Sequence, residues 1–210
     1  METINGLTKE QAMEKAYKIA FEGEGLRQGC SQATWNAVSE VLGIKNDFIF
    51  KLTSALEGGG ACTAKVACGA WSGAMFVFSY FFGRTYDQWL KSEKNLKSSF
   101  LGQKLYKKFV DEWGSAVCSE MHKKIYGRNF DFSNKEDFDV FEEMGAHTTG
   151  CTVVCARVSA WTIDIIWDEI PKDLDMSMIP GQKDEVPKDL DLAKLTGRKG
   201  AGWGFEKKPK

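Results

Sequence analysis

EGGGACTAKVACGAWSGAMFVFSYFF, residues 57–82, is the stretch on which the fold turns. The glycine triplet Gly58-Gly59-Gly60 permits a sharp backbone path that other chains can approach closely. The run from Ala67 to Phe82 is almost wholly apolar and reads as a buried helix. Gly69 and Gly73 lie four residues apart, so they share a face on which a neighbouring helix or a bulky group can come close. Cys68 stands in the first turn, where unpaired N–H groups and the helix dipole favour an anionic sulfur. Gly83 ends the helix.

Three more segments place a cysteine near a predicted helix start. Cys30 follows Gly29 and opens CSQATWNAVSEVL, which stops at Gly43; the spacing of its apolar residues puts Cys30 at the head of the buried stripe. Cys118 falls in the first turn of a short helix after Gly114 and Ser115, with Met121 and Ile125 below it, and Gly127 ends that helix. Cys151 lies near the start of the last long helix, capped by Thr148 or Thr149, with a stripe at Val154, Val158, Trp161 and Ile165. Arg157, Asp164 and Asp168 flank that stripe, and Cys155 follows Cys151 by one turn.

The other helices have ordinary signals. Thr8 with Gln11 forms a capping box for a helix running to about Leu26. A short helix spans about Asn46 to Leu56. Thr85 with Gln88 caps a long helix to about Trp113, carrying Trp89, Leu96, Phe100, Leu101, Leu105 and Phe109 as apolar positions. Its lysines, 91, 94, 97, 104, 107 and 108, read as a solvated face, with a docking patch for an acidic partner as the sharper reading. Asp131 to Glu143 reads as a turn and a short solvated helix. With no alternating strand pattern, the fold class is all-α, a single-domain bundle of about six helices over residues 1–170. From Pro171 a mostly irregular arm, 171–210, repeats PKDLD at 171–175 and 187–191. It either lies on the domain or on a second subunit through Trp203 and Phe205, forming a homodimer, or carries no fixed structure.

Composition narrows the function. The 28 basic and 29 acidic residues leave almost no net charge, against a dedicated nucleic-acid binder. The start of the chain has no signal-peptide pattern, and the apolar run at 67–82 is shorter than the ~20 residues that span a bilayer. The expectation is a cytoplasmic protein without a membrane span. Six cysteines in such a chain point to metal binding or redox chemistry rather than structural disulfides, and the bland reading is that they are small core residues. Four thiolates converging at helix starts suit an iron–sulfur cluster, and tetrahedral zinc as well. The two histidines, His122 and His147, read as surface or loop residues, with His147 the better placed to enter the site as ligand or proton carrier. GGGACTAK lacks phosphate-loop spacing, and Arg84 and Arg157 read as solvated or paired.

Cys68-Gly69-Ala70-Trp71-Ser72-Gly73 reads CGAxxG. With Cys30 upstream and Cys118 and Cys151 or Cys155 downstream, the chain from about Gly29 to Ile170 resembles the redox-active protein family named for its C…GCAxxG…C…C pattern. Cysteine and glycine stand here in the reverse order from the family's name. The resemblance implies a small redox protein binding a [2Fe–2S] or [4Fe–4S] cluster and serving electron transfer or a partner oxidoreductase. By position, Cys30, Cys68, Cys118 and Cys151 become the cluster ligands, with Cys155 the alternate for the last. Cys62 has no counterpart and reads as a fifth ligand, a replacement ligand or a core thiol. Two other functions stay open: a metal-free dithiol protein using Cys62–Cys68 or Cys151–Cys155, and a zinc-binding structural or interaction module.

Overall fold

The computed structural model describes residues 3–170; the arm from residue 171, and with it the second-subunit contact assigned to Trp203 and Phe205, lies outside the described residues. The described chain is all-α. Its helices are α1 (Lys9–Arg27), α2 (Cys30–Leu42), α3 (Asp47–Leu52), α4 (Gly69–Phe82), α5 (Tyr86–Leu90), α6 (Lys97–Trp113), α7 (Cys118–Tyr126), α8 (Lys135–Glu143) and α9 (Cys151–Ile166). Nine helices among the described residues replace the six expected. One of the three extra helices arises because the segment after Thr85 is two helices, α5 and α6, with a break in which Ser92 adopts φ +56°. No Pro or Gly marks that break.

Helix α9 is the centre of the bundle and packs on α1, α2, α4 and α6. Helix α1 starts at the expected capping box, with the Thr8 side chain accepting from Gln11 N–H and Gln11 Oε1 accepting from Thr8 N–H. It buries Ala12, Ala16 and Ala20 completely, small residues that let two helix backbones come near one another. Helix α4 packs on α2 through its glycine face. A Cβ at Gly73 would strike the Ser31 carbonyl, and one at Gly69 would strike Cys30 Sγ. The close approach expected from their spacing is therefore realised.

Leu101, Leu105 and Phe109 are buried as expected, each burial contributing about 1.5–3 kcal/mol. Trp89, Leu96 and Phe100 are exposed instead, because the break after α5 turns them away from the core. Ion pairs orient α9 on its neighbours: Lys9 holds Asp164 at 2.9 Å and Asp168 at 3.3 Å, Lys108 reaches Asp164 at 3.3 Å, and Arg157 pairs with Glu112. At these exposures each contributes under about 1 kcal/mol. Lys97 and Lys104 pair with Glu169, and Lys107 with Asp111, so much of the lysine face is already engaged. The segment Ala146–Ile166 is long and apolar enough by composition to cross a membrane; here it is the core helix with its lead-in turn, and most of it is buried.

Candidate functional site: a cavity at four helix N-termini

Cys30 is the first residue of α2, Cys118 of α7 and Cys151 of α9, and Cys68 is the N-cap of α4 rather than part of its first turn. None of these four ends has a side-chain cap. Neither threonine caps α9: residues Ala146–Gly150 form one π-helical turn leading into it, and Gly150 is its N-cap. The four positive helix ends meet at one cavity of about 180 Å³, which all six cysteines line.

Backbone pairing explains how distant cysteines meet. Ala67 bridges Val117: Cys68 N–H donates to Ala116 O at 2.8 Å, and Cys118 N–H to Val66 O at 2.9 Å. Ser119 N–H adds a bond to Ala64 O at 2.8 Å. These bonds tie the glycine loop to the start of α7, so Cys68 and Cys118 are neighbours despite fifty residues between them. Within that loop Gly58, Gly59, Gly60, Ala61 and Cys62 all have positive φ, between 48° and 76°. Ala61 and Cys62 pay a steric cost there that the glycines avoid. The path brings exposed Cys62 to the cavity mouth, while Cys68, Cys118, Cys151 and Cys155 are buried.

The sulfurs have distinct partners. Cys30 hydrogen-bonds Cys68, which with burial pushes the Cys30 thiol well above its ordinary range. That bond pulls Cys68 the other way, but burial and the Cys118, Cys155 and Cys151 sulfurs leave it raised. Burial, then neighbouring sulfurs, raises Cys118; burial and Glu24 raise Cys151 and Cys155; burial and Glu57 raise Cys62. The Tyr126 hydroxyl lies 3.6 Å from Cys151 Sγ and works against that rise. Cys155 instead donates its S–H to the Cys30 carbonyl at 3.8 Å, as a packed core thiol does.

Three residues that the sequence reading misplaced or missed belong to this site. His122 is buried, not a surface or loop residue, with Nε2 3.6 Å from Cys118 Sγ and 3.8 Å from Cys151 Sγ. Glu24, on α1, is 3 % exposed and lines the cavity, with Oε2 unpartnered. Burial, then Glu57 and Glu142, lifts its carboxyl to about 8. His147 does enter the site: it sits between Glu142, 2.7 Å from Nδ1, and Glu24, 3.8 Å from Nε2. The segment read as a solvated helix also supplies a wall, since Phe141 is buried and packs with Phe130, Phe132 and Phe138 beside the cavity. No Lys or Arg lines the cavity among the described residues. No group of three or more His, Cys, Asp or Glu side chains among them is arranged to hold a metal ion.

Such a bundle, with cysteines at four helix starts around one cavity, defines an all-α cysteine-motif domain. The profile described as "Putative redox-active protein (C_GCAxxG_C_C)" matches residues 29–166, and the chain belongs to that family. No curated protein and no solved structure matches the chain.

Proposed function

We propose that the chain is an electron-transfer protein, or an accessory to an oxidoreductase, built around an iron–sulfur cluster held by Cys30, Cys68, Cys118 and Cys151. One observation carries the reading: every cavity thiol is pushed upward, and among the described residues no Lys or Arg lines the cavity to offset a thiolate. A dithiol mechanism needs an accessible thiolate near neutral pH, stabilised by a nearby cation. A metal centre brings its own positive charge, so the same converging sulfurs favour it.

The donor set fits. Four helix N-termini offer N–H groups and positive dipole ends to anionic sulfur, and the aromatic wall limits water. When bound, such a cluster supplies one-electron redox chemistry. Cys151 is preferred to Cys155 as the last ligand because Tyr126 faces its sulfur, whereas the Cys155 proton is directed at a carbonyl. Cys62, exposed at the mouth, is kept as an alternate. A [2Fe–2S] and a [4Fe–4S] core both suit these ligands. A reducing compartment such as the cytoplasm suits free thiols, and a redox partner protein would receive or supply the electrons.

The test is a set of serine substitutions in anaerobically purified protein. Replacing Cys30, Cys68, Cys118 or Cys151 abolishes visible absorption, and replacing Cys155 or Cys62 leaves it. Retained absorption in Cys68→Ser and Cys118→Ser overturns the assignment.

A further inference from the structure

His122 stands outside the cysteine pattern yet is aimed into the middle of it. Its Nε2 faces two sulfurs, Cys118 at 3.6 Å and Cys151 at 3.8 Å. Its Nδ1 is buried and has no hydrogen-bond partner. The ring is boxed edge to face by Tyr126, Phe130 and Phe132 and tilted against Phe141.

We propose that His122 is a positioning residue, a neutral N–H donor clamped between the Cys118 and Cys151 sulfurs, that raises the reduction potential of the centre they hold. The potential rests on the cluster reading above; the clamp itself does not.

The tautomer follows from the surroundings. A proton on Nδ1 would be a buried donor among aromatic rings with nothing to receive it, one of the rarest arrangements in folded proteins. A proton on Nε2 points at two sulfur acceptors and leaves only a bare lone pair on Nδ1. The same fact separates a donor from a ligand. A histidine that binds metal through one nitrogen almost always donates its other N–H to a partner, and Nδ1 has none. A charged ring would carry a proton on both nitrogens, so the partnerless Nδ1 disfavours the imidazolium for the same reason. The tight aromatic box fixes the ring plane, so the N–H direction is set before any electron arrives. On reduction the centre gains one electron from an external donor, with no bond made or broken. A fixed N–H aimed at ligand sulfur stabilises that added negative charge and raises the potential.

Two measurements test this. The first is the tautomer, read from ¹⁵N shifts of the two histidines in the reduced, chelator-treated full chain, with His147→Gln used for assignment. The expected result is a protonated Nε2 and a bare Nδ1 on His122; a protonated Nδ1 overturns the proposal. The second is the midpoint potential of the iron-loaded protein, poised with dithionite. His122→Phe fills the aromatic box without a donor, and His122→Gln keeps an N–H near the Nε2 position. His122→Phe lowers the reduction equilibrium about tenfold, about 59 mV for one electron, and His122→Gln restores most of it. Equal potentials in wild type and His122→Phe, or an equal drop in both variants, overturn it. A chain that binds no iron sinks the cluster reading alone, and the tautomer then decides the clamp. If both variants misfold, the wild-type tautomer decides it likewise.

Discussion

Replacing Glu24 by Gln should change the pH dependence of stability in a window the structure specifies. Glu24 is 3 % exposed, with carboxylates at Glu57 and Glu142 and no Lys or Arg among the cavity-lining residues to offset its charge. Its carboxyl rises from an ordinary 4.5 to about 8. Between those values the unfolded chain has lost the proton and the folded chain keeps it, so stability falls as pH rises. The fall is about 1.4 kcal/mol per pH unit and stops above the folded value. His122 acts in the opposite sense: its folded value is about 4 against 6.5, so its contribution is lost as pH drops through that interval. The two slopes oppose each other over most of the lower range. The clean window is from 6.5 to about 8, where wild-type protein should lose about 2 kcal/mol. Glu24→Gln should be flat there. Its absolute stability also reflects how the new amide is accommodated, so the slope is the quantity to read. Urea unfolding of the reduced, metal-stripped chain in buffers across that window measures it. Parallel lines for the two proteins would show that Glu24 titrates like a solvated carboxylate, and the reasoning about the cavity's electrostatics would be wrong.

The glycine face of α4 makes a second prediction. Gly73→Ala meets three backbone atoms of Ser31, and Gly69→Ala meets Cys30 Sγ and the backbone at Leu56 and Glu57. Each should lower stability by about 1–3 kcal/mol in chemical unfolding, since backbone cannot step aside as a flexible side chain can; a change near zero would show that α2 and α4 have room between them. Tyr126→Phe removes the hydroxyl beside Cys151 and should cost about 1 kcal/mol, while thiol titration shows Cys151 becoming harder to ionise. Lys9→Met breaks the pairs to Asp164 and Asp168 on partly exposed surface, and thermal unfolding should register less than about 1 kcal/mol.

The four cysteines at helix starts were readable because their signals are local: a glycine or short polar residue, then apolar spacing. The glycine face of α4 was readable for the same reason. The cavity's other members depend on tertiary packing, although two left traces. Ala12, Ala16, Ala20 and Glu24 recur every four residues, so Glu24 continues the buried alanine stripe into the site. His122 follows Cys118 by four, which places both on one face of α7. Neither trace has meaning until another element covers that face. The break between α5 and α6 left no trace, as Lys91 to Leu96 holds no Pro or Gly. The aromatic wall was obscured by the acidic residues interleaved with Phe132, Phe138 and Phe141. Those charges mark the solvent side of α8 and hide the other.

Iron and acid-labile sulfide, counted per chain after anaerobic purification, bear most directly on the cavity's purpose. A polynuclear centre predicts both elements together, in equal amounts, and their joint disappearance when the α4 N-cap cysteine becomes serine. Zinc at one per chain with no sulfide, or a colourless chain whose thiols all titrate free, would contradict it.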